Sequence, residues 1–96
     1  MAFVTLITLW CKEGQRENLI YHINQIKKEV QEKEPGTTKY FMGTSEEDPN
    51  EIWVWEEYED EAAHEIHSRN EAVQVWKTKW DEQLAKPMQK QILNPA

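Results

Sequence analysis

The chain has one cysteine, Cys11, so it closes no internal disulfide. A reducing, cytoplasmic location is the matching expectation, with Cys11 a small packed residue at a strand end rather than a nucleophile. Glycine is scarce too. Three glycines leave no room for a phosphate-cradling loop or a dinucleotide fingerprint, so no bound nucleotide or flavin is expected. Positive charge is outnumbered: 11 Lys and Arg stand against 18 Asp and Glu, a formal net charge of −7. The basic residues form no exclusive cluster, and neither nucleic acid nor membrane is an expected partner. No apolar run approaches the roughly 20 residues that span a bilayer. The opening Met-Ala-Phe-Val-Thr-Leu has no basic segment ahead of an apolar one and reads as a strand, not a signal peptide. No Ser/His/Asp set is present. His64 and His67 are three residues apart but off a common face, and no third ligand completes a metal site. Neither metal nor cofactor is expected.

What the chain does have is aromatic surface. Five Trp, three Tyr and two Phe in 96 residues exceed what a minimal core needs, and such excess goes to a ligand cavity or a subunit interface. Length and the absence of linkers or repeats give a single domain over residues 1–96.

Residues 2 to 11 read as a strand with Phe3, Val4, Leu6, Ile7, Leu9 and Trp10 on both faces. Burial on both faces follows, and in a chain this small a second subunit is the expected cover, hence a homodimer. After Lys12-Glu13-Gly14, residues 15 to 34 form a helix whose stripe is Leu19, Ile20, Ile23, Ile26 and Val30. The charge run from Lys27 to Glu34 reads as its solvated face, and Pro35-Gly36 ends it. A second strand covers 37 to 45, and Glu46 to Asn50 is a turn by composition, making a hairpin with a third strand over 51 to 58. Trp53 and Trp55 share one face of that strand, Val54 and Tyr58 the other. The glutamates Glu56, Glu57 and Glu59 read as edge and surface charge.

At Asp60, an expected N-cap, the pattern turns helical as far as about Ser68. At about 100° per residue, Ala63, Ile66, His67 and Asn70 fall on the inward side and His64 off it. A further helix to about Ala85 carries Val73, Trp76, Trp80 and Leu84 inward, and residues 88 to 93 can form a last strand. Strand, helix, strand, strand, helices, strand is the split βαβ order of ferredoxin-like α+β domains: a four-stranded antiparallel sheet with helices on one face.

This order is accompanied by Lys12-Glu13-Gly14-Gln15 after strand one, Glu34-Pro35-Gly36-Thr37 into strand two, and Ser45 to Asn50 in the turn. To these are added Glu56-Glu57-Tyr58-Glu59-Asp60, Ala62-Ala63 and His67. Taken together they resemble the antibiotic biosynthesis monooxygenase family of dimeric α/β barrels. The resemblance implies two sheets packed across a dimer and a ligand cavity between sheet and helices of each subunit. Similar proteins include cofactor-free oxygenases of anthrones and quinols, haem-degrading enzymes and an isomerase of a signalling sugar. Trp76 and Ile7 stand at the haem-degrading branch's histidine and asparagine positions, which argues against haem chemistry. Val54 and Tyr58 stand at the asparagine and tryptophan positions of the anthrone-oxidising branch, so the aromatic is kept and the amide is not.

His67 is the leading candidate for catalysis, as a base near neutral pH. Tyr58 is the candidate hydrogen-bond donor to substrate oxygen, with Tyr40 beside it. Trp76, Trp80, Tyr40 and Ile7 are expected to line an apolar site for a small aromatic molecule. The expected function is a cofactor-independent monooxygenase of a phenolic, quinol or anthrone-like substrate. The alternatives are a non-oxidative proton-transfer enzyme of isomerase type and a non-catalytic binding or dimerisation module.

Overall fold

Two strands rich in β-branched and aromatic side chains form the centre of the molecule, and the helices pack on one side of them. The computed structural model describes residues 2–94. In chain order its elements are β1 (Phe3–Trp10), α1 (Arg16–Lys33), β2 (Thr37–Thr44), β3 (Glu51–Tyr58), α2 (Glu61–Ser68), α3 (Glu71–Lys77), α4 (Trp80–Gln83) and β4 (Gln89–Leu93). The sheet is antiparallel throughout, in the order β2-β3-β1-β4. This is the ferredoxin-like arrangement expected from the element order.

Register decides which side chains meet. Phe3 pairs with Tyr58, Thr5 with Glu56 and Ile7 with Val54, so all six point to the helix side of β1 and β3. Lys90 of β4 lies across from Ile7 on that same side. Leu9, Ile52 and Val54 there pack under Leu19, Ile23, Ile26 and Val30 of α1, and this is the main core. The predicted α1 stripe is buried except for Ile20, which is half-buried at its flank. Among the described residues no helix covers the opposite sheet face. Trp53 is 37% exposed and Phe41 49%, and the rings of Phe41 and Trp55 lie stacked 6.3 Å apart.

The hairpin turn is held by side chains, as its composition predicted. Ser45 Oγ accepts from the backbone of Glu47 and Asp48, and Asp48 Oδ1 accepts from Asn50. Asp60 caps α2 by accepting from the Ala63 amide at 2.8 Å. One expectation fails: the single helix to Ala85 is two helices. At the break the Thr78 and Lys79 amides bond back three residues, to Val75 and Trp76, and the Thr78 hydroxyl also donates to the Val75 carbonyl at 2.6 Å. A side chain that satisfies a helix carbonyl competes with helix continuation there.

Gly36 brings the site together. A Cβ at this position would lie 2.7 Å from the Ala63 methyl carbon. Only glycine lets the turn between α1 and β2 sit this close to α2, which sets His67 beside Glu34. Among the described residues no helix is long and apolar enough to cross a membrane.

Candidate active site

Three buried polar side chains converge where the C-terminal end of α1 meets α2 and the start of α3. His67 Nδ1 lies 2.9 Å from Glu34 Oε1, and Asn70 donates through Nδ2 to Glu34 Oε2 at 2.5 Å. Thr37 Oγ1 donates to Glu34 Oε1 at 3.0 Å. Burial alone would raise the Glu34 pKa, and a carboxylate at a helix C-terminus also faces the wrong end of the dipole. The hydrogen bonds from His67, Asn70 and Thr37, with the charge of His67, outweigh these effects and hold Glu34 below its ordinary value. Glu34 is therefore an ionised acceptor, and the His67 Nδ1–H donates to it. Nε2 is the ring nitrogen that Glu34 does not engage.

On the other side of that ring is a second buried carboxylate. Glu56, 3% exposed, takes hydrogen bonds on Oε1 from the Thr5 hydroxyl at 2.9 Å and from the Tyr58 hydroxyl. Its Oε1 lies 3.8 Å from His67 Nε2, too far for a hydrogen bond. Nε2 is thus not consumed by its neighbour, and an imidazolium there would stand between two carboxylates.

His67 and Glu56 line a cavity of about 270 Å³ between the sheet and the helices. Ile7, Tyr40, Trp76 and Trp80 supply much of the remaining wall, so all four predicted lining residues are brought together. The indoles of Trp76 and Trp80 meet edge to face at 5.4 Å. Trp76 is fixed by its N–H, which donates to Gln83 Oε1 at 3.0 Å. Tyr40 is pushed well above the ordinary phenol range, first by burial and then by the charges of Glu56 and Glu34. It stays a hydroxyl donor at all working pH values. A larger hollow of about 660 Å³ opens on the far side of His64, beside Phe3, Glu61 and Ile92. It lacks the base and the buried carboxylates, so the smaller cavity is the candidate site.

Tyr58 is placed differently from the other candidates. It is fully buried, does not line the cavity, and donates its hydroxyl to Glu56. Burial first, then the Glu56 charge and that hydrogen bond, raise its pKa and keep it protonated. Three readings from the sequence need correction. Glu56 and Glu34 are buried partners of His67 rather than surface charge, because the helix-side packing of β3 and the end of α1 encloses them. Ile66 points outward, 51% exposed, while His64 lines the cavity, held by edge-on contacts with Phe3 and Tyr58. The inward face of α2 therefore runs from Ala63 and His67 across to His64 and leaves Ile66 outside. Cys11 is buried in the core as expected, and burial pushes its thiol up.

The family model for antibiotic biosynthesis monooxygenases matches residues 2–79, which takes in the site residues named above except Trp80 and Gln83. The chain belongs to the antibiotic biosynthesis monooxygenase family. No curated protein matches it. Among solved structures, Rv0793 from Mycobacterium tuberculosis superimposes with a TM-score of 0.91 at 17% identity, over 100% of this chain and 96% of that one. A Nitrosomonas europaea protein, named provisionally as an antibiotic biosynthesis monooxygenase, gives 0.89 at 18% identity, over 98% and 89%. A conserved Methanosarcina mazei protein gives 0.91 at 20% identity, over 100% and 94%. At these identities the likeness establishes the antibiotic biosynthesis monooxygenase fold, and the chemistry must be argued from this chain's own residues. Among the described residues no cluster of three or more His, Cys, Asp or Glu side chains has metal-binding geometry.

Proposed function

We propose that the protein is a cofactor-independent monooxygenase of a small phenolic, quinol or anthrone-like substrate, working as a cytoplasmic homodimer. The observation that carries this reading is His67, its Nδ1 bound to ionised Glu34 and its Nε2 free beside Glu56 at the inner end of an aromatic-lined cavity. In this mechanism Nε2 takes the acidic proton of the substrate, and the two carboxylates stabilise the imidazolium that forms. The substrate anion is electron-rich enough to reduce dioxygen itself. For an anthrone-type CH₂ the sum is substrate plus O₂ giving ketone plus water: two C–H bonds break, one oxygen atom enters the carbon, and the other leaves as water. The substrate supplies all the electrons. Tyr40 donates to the developing oxyanion, and Trp76, Trp80 and Ile7 keep water from the intermediate. Tyr58 acts through Glu56, holding its carboxylate against His67.

The homodimer is supported by the uncovered sheet face, where Trp53, Trp55 and Phe41 form an apolar surface that a second copy would bury. A second reading, proton transfer without oxygen, is favoured by the same base and by Val54, which is buried in the core and gives no amide to the cavity. Oxygen uptake decides between them. Chelator-treated protein with a panel of hydroquinones and anthrones should consume oxygen under the first reading. Incorporation of solvent deuterium into the substrate without uptake supports the second, and binding without either supports a binding module.

A further inference from the structure

The cavity is polarised. Its lining joins buried Glu56 and His67 to half-buried His64 and to Lys77 and Lys90, which are exposed. Lys90 Nζ lies 3.0 Å from His64 Nε2, and since an ammonium has no acceptor, the lysine donates to a neutral imidazole. Burial, followed by the Lys90 charge, lowers the His64 pKa and keeps that ring neutral. Lys77, at the end of α3, places its ammonium 6.0 Å from the centre of the Trp80 ring in the same wall. Neither lysine has a carboxylate within 4.0 Å among the described residues, in a chain whose acidic groups outnumber its basic ones by 18 to 11. The charges that act on His64, beside Lys90, are Glu56 of β3, His67 and Glu61 of α2. Two ammonium groups with no carboxylate partner among the described residues thus border one largely apolar cavity.

We infer that the substrate is an aromatic acid: a planar phenol or quinol whose carboxylate is held by Lys90 and Lys77 while its reacting hydroxyl or C–H reaches His67. This deepens the oxygenase reading and rests on the same cavity. The net charge of −7 works against anion binding in general, so a preference for the acid would have to come from the local pair. Charge-assisted hydrogen bonds of this kind supply a preference of about tenfold or more.

The test is calorimetric titration of the protein with 6-hydroxy-2-naphthoate and with 2-naphthol, at low and at high salt. The expected result is tighter binding of the acid by about tenfold or more, a preference that salt weakens. It should collapse towards unity in the Lys77→Gln/Lys90→Gln double variant and persist in Lys90→Arg. Equal affinity for the two ligands, or a preference unchanged in the double variant, overturns the inference. Oxygen uptake with naphthalene-1,4-diol and its 2-carboxylate is read alongside. Uptake without preference for the acid leaves the oxygenase and removes the subsite. Preference for the acid without uptake does the reverse, and binding of neither ligand overturns both.

Discussion

Replacing Glu34 by alanine removes the group on which the buried network is centred. The His67, Asn70 and Thr37 donors all converge on its carboxylate, which lies at the end of α1 with 4% of its side chain exposed. Each donor left unsatisfied costs about 1–3 kcal/mol. Thr37 is half-buried and can turn to water, and His67 can move its proton to Nε2 and face Glu56, so the sum falls short of three full penalties. A loss of about 3–4 kcal/mol is the expected outcome, a large part of the roughly 5–15 kcal/mol that holds a domain together. At about 4–8 °C per kcal/mol for a domain of this size, the thermal midpoint should drop by roughly 12 °C or more. Urea unfolding followed by tryptophan fluorescence measures the difference directly.

The pH dependence gives a second check on the same residue. Because Glu34 is held below its ordinary value of 4.5, the unfolded chain binds its proton more readily than the folded one. Its contribution to stability is therefore complete above about 4.5 and is lost as pH falls through the lower folded value. The gap between wild type and Glu34→Ala should be widest near neutrality and narrow in acid. A variant within about 1 kcal/mol of wild type at pH 7, or a gap that widens in acid, would refute the reasoning.

Other substitutions test other parts of the account. Gly36→Ala forces a methyl against Ala63, 2.7 Å from its Cβ, and should cost about 1–3 kcal/mol in the same unfolding assay; an unchanged midpoint would show that α2 gives way freely. Tyr58→Phe removes one of the two hydroxyls bound to Glu56 Oε1 and should cost about 1–2 kcal/mol, lowering kcat with little change in KM. An effect confined to KM would place Tyr58 against the substrate instead. Trp55→Asp puts a charge in the uncovered sheet face and should turn a dimer into a monomer by sedimentation velocity. A monomeric wild type would contradict the dimer.

Much of this architecture could be read from alternation. In β3, Ile52, Val54 and Tyr58 lie on one side and Trp53 and Trp55 on the other, as the strand period requires. Glu56 occupies the same parity as Ile52, Val54 and Tyr58, so the signal that it points inward was present. It was outweighed by the general rule that carboxylates stay at the surface. Glu34 is similar: it continues the α1 stripe four residues beyond Val30. Both exceptions are functional candidates because burying a carboxylate requires partners. Lys90 left no comparable trace. Its approach to His64 depends on how β4 registers against β1, a long-range pairing that no local window contains. The break at Thr78 came from a side-chain bond competing with the helix, where the hydrophobic spacing ran on undisturbed.

The central claim is that His67 Nε2 starts an oxygen-consuming reaction that needs no cofactor. Turnover of an anthrone under ¹⁸O₂ by chelator-treated protein, beside His67→Ala, tests it most directly. The account predicts one labelled oxygen atom in the ketone product and a rate lower by about 10²-fold or more in the variant. Product oxygen drawn from water, or a variant as fast as wild type, would contradict it.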